Sequence, residues 1–470
     1  MTEITLTNAL ILCAPDEEQS HQRKDVFIKG GLIAELLDAG TSAPSGDVID
    51  MSGCLVTPGL INCHHHSHEH YHKGRYDRVP LELWMNYVRP LKPIPVTARQ
   101  VYVRTLIGAI QALRSGTTTI VDDLNASPVL QPEMVEAALQ AYRDIGIRAM
   151  VGITLFDKPF FRALPFVSDE FPPELLAKLD GVKATPALEI LDFVKGLAKT
   201  HHPESDRVSA ILAPSAPQRC TDDFVRTVRN VADDMDLPVI MHVHETRLQA
   251  VTDDIQLLSD TGTSVQHNPN SNLKLGSGLM PMRAFLDAGV NVSLGTDGCG
   301  SIETVDMLRA VASTALVHKL RGDDHTRWVD AGDAWHAGTL GGAKALGFEG
   351  KMGLVAPGMR ADVTCYKLVS SAFTPLNNPL RQLVYGETGA DLDTIIIDGR
   401  VVMRYGKLSG IDEDSILSEA QEAHAELEPF ISAAEEQTAE MAPAYARIYA
   451  RCQALAIDPA VLPARFPDLK

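Results

Sequence analysis

Pro58-Gly-Leu-Ile-Asn-Cys-His-His-His66 is a short apolar run that ends in three histidines. Residues i and i+2 of a β-strand point to the same side. His64 and His66 therefore present two imidazoles from one strand end, enough to grip one metal ion. Neutral imidazole suits zinc, iron and nickel alike. A histidine-rich turn would carry the same letters, so the rest of the chain has to separate the two readings.

Working outward, residues 1–57 read as short strands. Ile4-Thr-Leu-Thr-Asn8, Asp25-Val-Phe-Ile-Lys-Gly-Gly-Leu-Ile-Ala-Glu-Leu36 and Val48-Ile-Asp-Met51 are β-like, with Gly30-Gly31 at a hairpin. After residue 58 strands alternate with helices. Helical patterns cover 101–115, 132–145, 187–199 and 222–235; strand patterns cover 116–122, 147–154, 208–214 and 238–244. Such alternation implies a parallel sheet, and this many units favours a closed (β/α)8 TIM-like barrel, expected over 58–352. Residues 353–412 return to β character, with a turn at Asp398-Gly399. The two β segments that flank the barrel are expected to pair into one small composite β-sandwich. Residues 413–470 form an acidic, Ala-rich helical extension, read as a solvated or subunit-packing appendage.

Bulk properties narrow the function. At 470 residues and 45% hydrophobic, the chain can bury a barrel core and a smaller domain. A formal charge of -19 repels nucleic acid and anionic membrane surfaces, and says nothing about a neutral small-molecule substrate. No apolar run approaches the roughly 20 residues of a spanning helix, and the start lacks the basic region of a signal peptide. Seven scattered cysteines with no CxxC pair suggest reduced thiols in a cytoplasm.

Three further stretches close expected barrel strands, where such barrels place their chemistry. They are His242-Val-His-Glu245, Ser264-Val-Gln-His-Asn-Pro-Asn-Ser-Asn272 and Val292-Ser-Leu-Gly-Thr-Asp-Gly298. Each alone reads equally well as a helix cap or a core histidine. Together they line up histidines and an aspartate in barrel order.

With these motifs in view, the sequence resembles the amidohydrolase superfamily, in the branch of cytosine, guanine and adenosine-type deaminases and triazine hydrolases. The likeness rests on PGLINCHHH, HVHET, HNPNSNLKLGSG, LGTDG, Gly338-Thr-Leu-Gly-Gly-Ala343 and Pro357-Gly-Met-Arg-Ala-Asp362, and spans the chain to about residue 412. It implies one divalent metal per subunit, zinc or else iron, held by His64, His66, His242 and Asp297. His242 is preferred over His244 because the family spaces ligand and acid as HxxE, which makes Glu245 the acid. Glu69 is implied as a substrate contact, and His267 is taken as another. Trp84 either lines the pocket or is a structural aromatic of a lid.

The implied reaction is hydrolytic deamination of an aminated nitrogen heterocycle. A divalent metal lowers the pKa of a bound water to about 7; Asp297 takes its proton, and Glu245 protonates a ring nitrogen and then the leaving amine. Alternatives keep the site but hydrolyse a cyclic amide, or remove chloride or alkylamine from a triazine; another is a metal-binding homologue without catalysis. The family also implies a homo-oligomer, dimer or larger.

One part of the family pattern is missing. A histidine should end the sixth barrel strand, and none is found. The strand with His242 begins near Pro238 and the strand with His267 near Thr263, 25 residues on. A barrel of about 250 residues spends about 31 per unit, so about 30 to 40 residues are wanting near Val251–Thr252. A barrel short of one strand would leave unpaired backbone edges. The expectation is therefore that the 470-residue sequence omits a segment there, with a genuine deletion as the alternative.

Overall fold

The structure is a computed structural model and describes residues 3–12, 21–88, 93–243, 245, 254–320, 322 and 324–454. Before the histidine run come β1 (Glu3–Leu12), β2 (His21–Lys29), β3 (Leu32–Asp38), β4 (Asp47–Asp50) and β5 (Cys54–Pro58). Gly30 and Gly31 turn β2 into β3 with φ of 59° and 84°, a backbone that favours glycine. The barrel strands follow: β6 (Leu60–His65), β7 (Thr117–Leu124), β8 (Arg148–Leu155), β9 (Val208–Pro214), β10 (Val265–His267) and β11 (Val292–Leu294). Last come β12 (Val363–Lys367), β13 (Leu392–Ile397), β14 (Arg400–Arg404) and β15 (Lys407–Leu408).

β6 to β9 run parallel in chain order. All eight residues of β7 and of β8 are buried, as expected of strands covered on both faces. The next strand is shorter than its apolar pattern suggests. Val239 bridges Leu212 in parallel, and the Ile240 and His242 amides donate to Leu212 and Ser215 carbonyls at 3.0 Å each. β10 and β11 pair in parallel. The circle closes where the Thr296 and Asp297 amides reach the His64 carbonyl, at 3.2 and 3.0 Å. Asn62, inside the PGLINCHHH run, locks that seam: its amide donates to Thr296 Oγ1 at 2.8 Å and its Oδ1 accepts from the Thr296 amide at 3.1 Å.

Among the described residues no strand lies between His242 and β10. The Val251–Thr252 junction and His244 lie outside the described residues.

Strands from both chain ends form one nine-stranded sheet, ordered β15-β14-β13-β12-β5-β1-β2-β3 with β4 beside β1. It curls: Ile33 exchanges backbone hydrogen bonds with Met359 and Gly358 at 2.8 Å, which wraps the sheet around Leu6, Ile11, Val26, Ile28 and Ile396. This agrees with the composite β-sandwich. A buried ion pair joins it to the barrel, Arg148 Nε to Asp362 Oδ2 at 2.9 Å.

The C-terminal extension is one long helix, Glu413–Ala454. It lies against its own subunit, where Leu427 and Ile431 are buried with Tyr71. Its acids face basic side chains of the barrel: Arg75 donates to Glu428 at 2.6 Å and to Glu435 at 2.7 Å, and Arg99 pairs with Glu419. Part of its acidity is thus paired with the barrel, while Glu422, Glu436 and Glu440 are exposed.

Candidate metal and catalytic centre

The site is built from strand ends. Pairing of β6 with β7 shifts register between Asn62 and His65, and such a bulge re-aims the side chains beyond it. His64 and His66 then meet His242 from the fifth strand position. Each of the three offers a ring nitrogen, and these atoms lie within 4.8 Å of one another. Ring centroids are 4.6 Å apart for His64–His66, 4.8 Å for His64–His242 and 5.5 Å for His66–His242. Asp297 lies against this cluster: its Oδ1 is 3.5 Å from His64 Nε2 and 3.4 Å from His66 Nε2.

Neighbouring groups orient these donors. His66 Nδ1 contacts the Asp123 carbonyl at 2.8 Å and His242 Nδ1 the Ser215 carbonyl at 2.9 Å. A proton on each Nδ1 leaves Nε2 as the metal-facing atom, as ligating histidines are usually arranged. Asp297 Oδ2 accepts from Ser271 Oγ at 2.5 Å and Ser301 Oγ at 3.0 Å, which leaves Oδ1 for the histidines. Asp297 itself sits at φ 67°, and an aspartate tolerates that left-handed backbone better than most side chains.

The electrostatics fit a cation. Burial, with the neighbouring His64 charge, lowers the His242 pKa to about 3; burial also lowers that of His66. Both are therefore neutral donors at pH 7. Burial opposes charge on His64 as well, but the hydrogen bond to and charge of Asp297 outweigh it and the pKa is raised. Burial would raise the Asp297 pKa, yet the His64 hydrogen bond and the His66 charge hold it well below the usual carboxylate range. Three imidazoles and one ionised carboxylate make a donor set suited to zinc or another divalent transition metal.

The remaining expected site residues fall into two groups. Glu245 is close enough for its charge to raise the His64 pKa. Glu69 is buried and accepts from the Gly300 amide at 3.2 Å, while Trp84 Nε1 donates to the Gly300 carbonyl at 3.0 Å. Both thus meet the loop just after Asp297. A Cβ on Gly298 would collide with the Glu69 carboxylate, so this approach needs glycine. His267 is not brought to this cluster. It is buried with its Nε2 3.1 Å from His318 Nε2, whereas Gln266 and Asn268 on either side lie against Gly295 near His64. His65 points elsewhere too, toward the Asp297 carbonyl at 3.2 Å.

Asp123 was not singled out from the sequence. Its Oδ2 lies 3.7 Å from His242 Nδ1 and its Oδ1 accepts from Thr154 Oγ1 at 2.7 Å. The signal was present: Asp122-Asp123 closes a barrel strand of otherwise uncharged residues. Substituting Asp123→Asn removes a negative charge behind His66 and His242, and metal affinity is expected to fall about 10–100-fold. Competition with a chelator of known affinity measures this; unchanged affinity would remove Asp123 from the site.

The chain is similar to known proteins in sequence and in fold. The sequence pattern described as the Amidohydrolase family matches residues 55–250 and 247–402. A 5′-deoxyadenosine deaminase of Methanothermobacter thermautotrophicus is 29% identical over 440 residues, covering 86% of this chain and 95% of that protein. A 5-methylthioadenosine/S-adenosylhomocysteine deaminase of Thermococcus onnurineus is 31% identical over 415 residues, covering 81% and 90%. In fold, the chain is similar to an adenosine deaminase from Xanthomonas campestris solved with bound zinc. That pair has a TM-score of 0.78 at 24% identity, over 91% of this chain and 99% of the other. An atrazine chlorohydrolase from Arthrobacter aurescens, complexed with zinc, gives a TM-score of 0.79 at 20% identity, over 90% and 100%. No helix among the described residues is long and apolar enough to cross a membrane.

Proposed function

The chain belongs to the amidohydrolase family, and we propose that it deaminates an adenine-type nucleoside at a single zinc ion held by His64, His66, His242 and Asp297. The observation that carries this reading is the convergence of those four side chains at the carboxyl ends of barrel strands. The deaminase relatives supply the substrate class. When bound, a divalent metal supplies a water of lowered pKa and an electrophilic centre.

The protein's own groups do the rest. Asp297 Oδ1, ionised and facing the histidines, takes a proton from the attacking water. Glu245 delivers a proton to the ring nitrogen next to the amine-bearing carbon, takes the remaining proton of the added hydroxyl and passes it to the departing amine; the proton held by Asp297 then returns to Glu245 for the next turnover. Glu69 and Trp84, fixed on either side of Gly300, border the space beside Asp297 where the heterocycle lies. Ammonia release is the test, measured on zinc-loaded protein with 5′-deoxyadenosine, methylthioadenosine, S-adenosylhomocysteine, adenosine and atrazine. Turnover of one or more nucleosides is expected; turnover of atrazine alone would transfer the reading to triazine hydrolysis.

The same reading divides the chain into a barrel over 58–352, a β-body from 1–57 and 353–412, and a helical extension over 413–470. It takes the protein as a cytoplasmic homo-oligomer, in keeping with six described cysteines that are all free. It also holds that a barrel unit belongs near residues 251–252. Two observations support that. The family pattern matches in two pieces that meet at 247–250. The alignment to the Methanothermobacter protein spans 440 positions but uses 86% of 470 residues, about 404, leaving about 36 without counterpart here. An intact mass about 3 to 4 kDa above 51.0 kDa is expected, at about 31 residues for one βα unit. A mass of 51.0 kDa would mean a protein without that unit, and would favour metal binding without turnover.

A further inference from the structure

A cavity of about 690 Å³ lies beside the metal centre, between the barrel loops and the C-terminal helix. Its size is that of a small-molecule site. Val96, Leu124, Phe156, Phe161, Leu427 and Ile431 give it an apolar wall. His68, whose ring centroid is 5.2 Å from that of His66, stands between the cavity and the metal cluster.

Two guanidinium groups line this apolar space. Arg219 Nη1 donates to Ser215 Oγ at 2.9 Å, and its guanidinium lies 4.0 Å from the Phe156 ring centroid. Arg104 is the anomaly. It is 8% exposed, its Nε is buried with no partner, and it donates no hydrogen bond among the described residues. The charge of Asp122 acts on it, but its hydrogen bonds go elsewhere: Asp122 accepts from the Ser67 amide and the Tyr142 hydroxyl, both at 2.9 Å, and burial still lowers the Arg104 pKa. Asp180, the acid among the described lining residues, pairs with Arg162 at 2.5 Å. An arginine is almost never fully buried unless paired, and a buried cation without a partner is costly.

We propose that this cavity binds a ligand with an apolar body and one carboxylate, and that Arg104 receives the carboxylate. The inference rests on the nucleoside-deaminase reading where the ligand is the substrate's own tail. A separate small acid would show the same chemistry.

The test compares wild type with Arg104→Met, which keeps the chain length and removes the charge, and with Arg104→Lys, which keeps the charge. If the ligand is a substrate tail, the ratio of kcat/KM for S-adenosylhomocysteine to that for methylthioadenosine falls about 10–100-fold in Arg104→Met. Arg104→Lys restores part of it. Because the ratio is taken within one preparation, metal loading cancels. Ammonia release from 5′-deoxyadenosine, which has no carboxylate, reports on the deaminase reading alone. If the ligand is a free acid, calorimetry finds hexanoate bound to zinc-loaded wild type and not to Arg104→Met, with the ratio unmoved. Melting temperature separates a structural role: the unpaired cation predicts that Arg104→Met melts no lower than wild type. An unmoved ratio together with no hexanoate binding overturns the proposal, as does a large loss of melting temperature in Arg104→Met.

Discussion

Glu245→Ala leaves zinc in the protein and lowers kcat by about 10²–10⁴, the usual contribution of a positioned proton carrier. The separation of the two readouts follows from geometry. The nitrogen cluster is complete with His64, His66 and His242, and Asp297 Oδ1 lies against two of these rings. Glu245 acts on this cluster through its charge on His64. Removing it takes away the group proposed to move a proton while the donors and their orienting partners remain. Metal content and ammonia release, measured on the same preparation, check the expectation. Loss of metal together with activity would mean that the ligand assignment, His242 included, is wrong.

Much of this site was legible because strand chemistry is local. The i, i+2 spacing of His64 and His66 needed only strand periodicity; the choice of His242 and Asp297 to join them came from the family resemblance. The composite sheet was legible for a similar reason, since Gly30-Gly31 and Asp398-Gly399 mark turns by composition. What the sequence hid depends on which way one residue faces. His267 closes β10 as an active-site histidine would, yet it pairs with His318, and its neighbours Gln266 and Asn268 turn toward Gly295 instead. On a three-residue strand, a shift of one position exchanges the two faces. Asp123 stayed hidden because its role depends on a strand, β8, and a histidine, His242, distant in the chain. The sequence also hid which acids of the C-terminal helix meet Arg75 and Arg99, because those arginines lie more than 300 residues away in sequence.

Asp297→Ala should have the opposite signature from Glu245→Ala: metal and turnover are lost together. This carboxylate is buried, its Oδ2 is pinned by Ser271 and Ser301, and its Oδ1 faces His64 and His66. Alanine leaves three neutral imidazoles without the charge that complements a divalent cation. Metal affinity is expected to fall by more than the roughly 100-fold upper range for orienting partners, and turnover to fall to background. The pH behaviour carries the sign of the same interaction. In metal-free wild type the Asp297 pKa is depressed, so the carboxylate stays ionised as pH falls, and it raises the pKa of His64. Protons therefore compete for His64 first, while His66 and His242, both lowered, remain neutral. In Asp297→Ala the raising cause is gone, burial acts on His64 with only the more distant Asp123 and Glu245 opposing it, and its titration moves to lower pH. Imidazole resonances followed by NMR through the titration, in chelated wild type and variant, measure this directly. A His64 that titrates at the same pH in both, or a variant that keeps its metal, would take Asp297 out of the cluster and leave the histidines to be completed by another acid.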